Sequence, residues 1–211
     1  MNLEKLKGKF ITFEGVEGAG KSTQSKLLVD YLNANGIKAV WTREPGGCEG
    51  AEEIRNLLVN GAVNKWDGIT ELLLMYASRR DHTEKKIKPL LAEGAVVVSD
   101  RYLDSTMAYQ GYGYKLDLEK IKEVQKVVLD DFLPDLTLIL DLDVKQGLER
   151  TDKRGEKNRY EDMKVEFHNR VRNGFINIAK DNPNRVKLIN VENKSIKELQ
   201  KELNEIIINH F

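Results

Sequence analysis

The segment Gly15-Val-Glu-Gly-Ala-Gly-Lys21-Ser22 follows the apolar run Phe10–Phe13 and leads into a stretch of helical period containing Leu27, Leu28, Tyr31 and Leu32. This is a full GxxxxGK[ST] pattern with both flanks its mechanism needs, a strand before and a helix after. Its glycines let backbone N–H groups turn inward around phosphate oxygens, at a helix N-terminus whose dipole favours anions. Lys21 adds a point charge near the β- and γ-oxygens, and the Ser22 hydroxyl is placed to ligate Mg²⁺. A chain built around such a loop must bury a strand directly in front of a helix, with the ligand at the strand's carboxyl end. By itself the pattern indicates a nucleoside triphosphate and leaves the reaction open.

The rest of the chain agrees with that frame. Five short apolar or β-branched segments, 9–13, 37–42, 95–99, 136–141 and 186–190, read as strands. They alternate with helical periods, such as Ile196, Leu199, Leu203, Ile206 and Ile207. Alternation of this kind predicts an α/β, three-layer P-loop fold, a five-stranded parallel sheet flanked by helices. The run Ala95-Val-Val-Val-Ser99 suits a central strand buried on both faces. At 211 residues, with no internal repeat and no low-complexity linker, the chain reads as one domain over 1–211. Residues 145–161 break the alternation, being rich in charge without a sustained apolar face, and read as a mobile, solvated lid.

Composition excludes several classes. The 34 basic residues are balanced by 34 acidic ones, so bulk charge gives no reason to invoke a nucleic-acid partner. No apolar run approaches the ~20 residues that span a bilayer, and the first nine residues lack a signal-like apolar core. The single cysteine, Cys48, has no internal partner, and its position asks nothing of a thiol. These readings predict a cytoplasmic protein with no membrane association.

A molecular switch uses the same loop, and Asn64-Lys-Trp-Asp67 matches the NKxD string that reads guanine. Here it follows Asn60-Gly-Ala-Val63 instead of a buried strand, and no DxxG element precedes it. It is read as a loop and helix start, with Asp67 as N-cap. The second acid falls at Asp100, ending Val96-Val-Val-Ser99, where open α/β sheets place their ligands. It can hold Mg²⁺ directly or through water, with Arg101 beside it poised for an anion. A strand end closed by a surface ion pair is the plain alternative.

Seven strings, in order, resemble the thymidylate kinases, specifically the bacterial type, over nearly the whole chain. They are the P-loop with its flanks at 13–23, Thr-Arg-Glu-Pro-Gly-Gly at 42–47, Glu-Ile-Arg at 53–55, Ala-Ser-Arg-Arg-Asp-His at 77–82, Asp-Arg-Tyr at 100–102, Ser-Thr-Met-Ala-Tyr-Gln-Gly at 105–111, and Arg-Gly-Glu-Lys-Asn-Arg-Tyr-Glu at 154–161. The second and sixth are specific to this family in a way the P-loop is not. The resemblance implies transfer of the γ-phosphoryl group of ATP to thymidine monophosphate with Mg²⁺, on the route to dTTP, by a homodimer. Another nucleotide or deoxynucleoside kinase, or a P-loop ATPase or GTPase, is the alternative.

By that resemblance Gly15, Val16, Glu17, Gly18, Ala19, Gly20, Lys21, Ser22 and Thr23 hold ATP, together with Arg150 and Arg154 of the lid, and Ser22 and Asp100 hold the metal. Glu17 faces the acceptor sugar. Arg43, Glu44 and Pro45 border the acceptor phosphate with Arg101. Arg55 lines the acceptor site or is an exposed helical arginine. Arg79 donates to the base, and Ser105, Tyr109 and Gln110 contact it and exclude a ribose, although Tyr109 has a packing alternative. Tyr160 and Glu161 close over the nucleotide or start the next helix. The family's stacking Phe is Met75 here, and Asp152 stands where an arginine is common. Lys21, Asp100, Arg101, Arg150 and Arg154 form the expected catalytic set. The acceptor phosphate is already ionised, so no general base is required, and His82, His168 and His210 are left as surface or packing residues.

Overall fold

The computed structural model describes residues 3–62, 64–154, 160 and 162–211, with Arg154 by its backbone alone. Phe10–Gly15 forms β1, buried along its whole length. It is the central strand of an all-parallel sheet of order β2-β3-β1-β4-β5, with β2 at Ala39–Arg43, β3 at Val96–Asp100, β4 at Leu136–Asp141 and β5 at Val186–Asn190. All five expected strands are present. The first three start one or two residues later than expected and end one or two later, at Gly15, Arg43 and Asp100. The ladder explains this: Gly15 lies opposite Leu140, and Arg43 opposite Asp100, so pairing continues where the sequence has already turned polar.

Helices cover both faces, which gives the three layers. On one face Leu28 and Leu32 of α1 (Lys21–Ala34) and Leu199, Leu203 and Ile207 of α9 (Ile196–His210) pack on Ile11, Phe13, Val98 and Leu138. The other face holds two clusters. Phe10 and Val97 meet Leu72 and Tyr76 of α3 (Gly68–His82) and Ile121 of α6 (Leu118–Leu129), while Ile139 and Val186 meet Phe167, Val171 and Phe175 of α8 (Val165–Asp181). Burying each such side chain contributes roughly 1.5–3 kcal/mol.

Helices α2 (Glu49–Val59), α4 (Lys88–Ala92) and α5 (Leu103–Thr106) complete this side, and α5 continues as a π-helical stretch, Met107–Gly113. Strand alternation sends Ile11 and Phe13 to the first face and Phe10, Thr12 and Glu14 to the second. Asp67 caps α3 as expected, its Oδ1 accepting from the Ile69 and Thr70 amides at 2.9 and 3.1 Å. Among the described residues no helix is long and apolar enough to cross a membrane.

Part of the segment expected as a lid is helical. Val144–Arg154 is a helix, α7, whose buried positions are Val144, Gly147 and Thr151. They recur at helical spacing, but Gly and Thr do not register as apolar, so the face was invisible in the sequence. Residues 155–159 and Glu161 lie outside the described residues, as does the Arg154 side chain.

Candidate active site

The carboxyl ends of β1, β2 and β3 open into one cavity of 610 Å³. Gly18, Gly20, Lys21, Ser22 and Thr23 line one end, and Arg43, Glu44, Pro45, Arg55, Met75, Arg79 and Gln110 the other, with Glu17, Asp100, Arg101, Ser105, Tyr109, Arg150 and Tyr160 also in the wall. Gly15, Val16 and Ala19 do not line it. Val16 and Ala19 are buried in the core beneath the loop, which fixes the cradle from below.

Gly18 sits at φ 70°, and a Cβ there would lie 2.2 Å from the Gly147 carbonyl oxygen. Conversely, a Cβ on Gly147 would lie 2.3 Å from the Glu17 carbonyl oxygen. Loop and α7 therefore touch backbone to backbone, and Arg150 Nη1 adds a contact to the Gly18 carbonyl at 3.4 Å. Gly147 carries no motif and was missed in the sequence.

Lys21 donates to the Val16 carbonyl at 2.7 Å. Burial and the neighbouring Arg101 lower its ammonium to about 8 despite Glu17, Asp100 and Glu14 nearby. The Ser22 hydroxyl donates to Asp100 Oδ2, so the two expected metal ligands are in contact. Arg101 follows on a left-handed turn, φ 71°. Its Nη2 donates to Glu17 Oε2 at 2.8 Å and its guanidinium lies 5.1 Å over the Tyr109 ring. Burial works against that charge, but Glu17, Tyr109 and Asp100 outweigh it and raise the guanidinium above its ordinary value. Burial likewise opposes ionisation of Glu17, yet Arg101, Lys21 and a 2.9 Å bond from the Tyr109 hydroxyl bring it down to about 2.

On the acceptor side the arginines are already engaged. Arg43 pairs with Glu52 at 3.2 Å, and Arg55 donates to the Pro45 carbonyl at 2.8 Å. Arg79 is buried and spreads its donors over Glu44 Oε2 at 2.8 Å, Thr106 Oγ1 at 2.9 Å and the Tyr102 carbonyl at 3.0 Å. Its guanidinium also lies 5.0 Å over the Tyr76 ring. Glu44 in turn meets His82 Nδ1 at 3.1 Å, and His82 Nε2 meets Thr42 Oγ1 at 2.7 Å, so His82 is a buried strut of the site. Tyr160 stacks edge-on against Tyr109, with centroids 5.9 Å apart.

Glu14 is a functional position the motif reading passed over. Fully buried on β1, it accepts from the Tyr102 amide at 2.7 Å and the Ser105 hydroxyl at 2.5 Å, and so holds the turn that carries Arg101. A carboxylate closing an apolar strand was the available signal. Burial, then the nearby Asp104, push its carboxyl up to about 8, against Ser105, Arg101 and the Tyr102 amide.

A carboxyl that holds its proton to about pH 8 when folded, but only to about 4.5 when unfolded, gives the native state the extra proton between these values. Stability therefore falls as pH rises from about 4.5 to 8, by on the order of a few kcal/mol. Glu14→Gln, which mimics the protonated form, is expected to flatten this slope in denaturant midpoints measured across that window. An unchanged slope would remove Glu14 as its source.

A parallel sheet of this order, with a glycine loop leaving its central strand into a helix and a carboxylate on the neighbouring strand, defines a P-loop nucleotide-binding protein. The sequence model for thymidylate kinase matches residues 13–203. A thymidylate kinase of Caulobacter vibrioides is 51% identical over 88% of this chain and 89% of its own. One of Wolbachia pipientis is 47% identical over 92% and 97%. The crystal structure of thymidylate kinase from Ehrlichia chaffeensis superposes with a TM-score of 0.76 at 38% identity, covering 96% of this chain and 99% of that one. The chain belongs to the thymidylate kinase family.

Proposed function

We propose that the protein transfers the γ-phosphoryl group of ATP to the 5′-phosphate of thymidine monophosphate, giving ADP and thymidine diphosphate on the route to dTTP. The observation that carries this reading is the continuous cavity, which joins the phosphate cradle at Lys21 and Ser22 to an arginine-rich acceptor end, with Glu17 and Arg101 between them.

An ionised oxygen of the acceptor phosphate attacks the γ-phosphorus, and the bond to the β,γ-bridging oxygen breaks in line. No proton has to move. The protein's part is positioning and fixed positive charge. Lys21 and the loop amides hold the donor phosphates, Arg101 spans donor and acceptor, and Arg43 and Arg55 face the acceptor phosphate. Arg150 approaches the transferring group from α7, while Tyr160 closes over the nucleotide. Glu17 faces the sugar, Met75, Arg79, Ser105 and Gln110 the base, and Tyr109 walls off a ribose. The Ser22 hydroxyl and Asp100 carboxylate are adjacent hard-oxygen donors, which fits Mg²⁺, an ion that completes its shell with waters and phosphate oxygens. When bound, it neutralises charge on the β- and γ-oxygens.

A cytoplasmic homodimer belongs to the same reading. The lone thiol of Cys48 suits a reducing compartment. Helices α2, α3 and α6, packed side by side, expose Leu57, Ile69, Leu73 and Val127, which supports a helix-mediated interface between two copies.

The test is a panel of nucleoside monophosphates with ATP and Mg²⁺, scored for diphosphate product. The best kcat/KM is expected on dTMP. Turnover confined to AMP, GMP or CMP, or ATP hydrolysis without an acceptor product, would refute the assignment.

A further inference from the structure

Behind the acceptor end of the cavity lies a carboxylate that the phosphoryl transfer does not use. Glu71, in the first turn of α3, is completely buried. Its Oε1 accepts from Gln110 Nε2 at 2.7 Å and its Oε2 from the Tyr114 hydroxyl at 3.4 Å. Gln110 lines the cavity with only 1% of its surface exposed, so its amide has little freedom to turn.

An amide side chain has a donating end and an accepting end, whereas a carboxylate only accepts. Glu71 can therefore hold Gln110 by its nitrogen and not by its oxygen. The amide oxygen is left for the cavity, with no donor to it among the described residues.

We propose that Glu71 is a specificity-determining positioning residue: by gripping the Gln110 amide through its nitrogen, it presents a hydrogen-bond acceptor to the acceptor base. This inference rests on the reading of that end as a pyrimidine monophosphate site. Thymine and uracil carry a ring N–H between two carbonyls and can donate to the Gln110 oxygen. Cytosine carries a bare ring nitrogen there, and two acceptors would face each other. Reversing the amide would reverse the preference, and Glu71 prevents the reversal. Selection against cytosine is thus set one residue behind the contact itself.

Glu71→Gln tests this with almost no change of volume. A Gln at 71 can offer either end to Gln110, so the Gln110 amide is no longer held to one orientation. The ratio of kcat/KM for dTMP over dCMP is expected to fall at least about tenfold, through a higher KM for dTMP and increased use of dCMP. The KM for ATP should be unchanged, which a general structural defect would not permit. Gln110→Leu should lower the ratio similarly, and adding Glu71→Gln to it should change the ratio no further.

A wild-type ratio in Glu71→Gln overturns the proposal. So does a further loss of selectivity in the double variant. Should Glu71→Gln fail to fold, Gln110→Leu decides, since an undiminished ratio there overturns it equally. Wild-type protein inactive on dTMP would instead defeat the functional reading on which the inference stands.

Discussion

Arg101→Ala is expected to lower kcat/KM for dTMP by on the order of 10³-fold or more, with most of the loss in kcat. Arginines that meet transferring phosphoryl groups are worth about 10³–10⁵ in rate in related chemistry. Under the proposed function that role falls to Arg101, which follows β3 and lies in the cavity wall. The same substitution strips Glu17 of its 2.8 Å ion-pair partner and leaves a buried carboxylate with the Tyr109 hydroxyl and the more distant Lys21 charge. Breaking a buried pair from one side costs about 3–5 kcal/mol, mostly through the charge left behind.

The two effects separate in the double variant Arg101→Ala with Glu17→Gln. Stability, read by denaturant unfolding, should largely return, while turnover should not. If turnover in Arg101→Ala stays within tenfold of wild type, Arg101 serves the fold and not the reaction.

Gly147→Ala should reduce turnover by roughly a hundredfold, the scale on which a displacement of about 1 Å acts in a positioned reaction. The added methyl would meet the Glu17 carbonyl at 2.3 Å, and a backbone atom cannot swing aside as a side chain can. Either α7 is pushed from the P-loop, taking Arg150 from its contact at Gly18, or the loop itself deforms. Exposed neighbours on the same helix provide the control: Lys145→Ala and Gln146→Ala should stay close to wild type. Steady-state kinetics alongside direct ATP binding distinguishes the outcomes. Near-normal turnover in Gly147→Ala would show that the close approach is not maintained during catalysis.

What the sequence disclosed was local in character. The cradle at 15–22 has its reasons within eight residues, and Asp100 is marked by the apolar strand it ends. Both stand where expected, as do the five strands. What escaped were residues whose reasons lie far along the chain. Glu14 is explained by Tyr102 and Ser105, respectively 88 and 91 positions away, and Glu71 by Gln110, 39 positions on. Gly147 is small because of a carbonyl in the P-loop, and no periodicity records that.

Arg79 was legible as a cavity residue from its family string. Its engagement by Glu44, Thr106 and Tyr102 was not, because three different loops and helices supply those partners. Met75 faces the cavity as its position in the string implied. Arg154, by its side chain, and Glu161 fall outside the described residues.

Among the described residues, the cavity wall contains seven lysines and arginines, Lys21, Lys26, Arg43, Arg55, Arg79, Arg101 and Arg150, against three carboxylates, Glu17, Glu44 and Asp100. A chain whose formal charges cancel to zero thus gathers a surplus of positive charge at this cavity, with the compensating negative charge elsewhere in the molecule. In an electric sense the mouth of the site is a positive patch on a neutral molecule. Such a molecule repels or attracts its own copies weakly at long range, yet turns an approaching nucleotide phosphate-first toward the opening. That guidance reaches about 8 Å at physiological ionic strength and further in dilute salt, so capture of substrate begins before any contact with the loop is made.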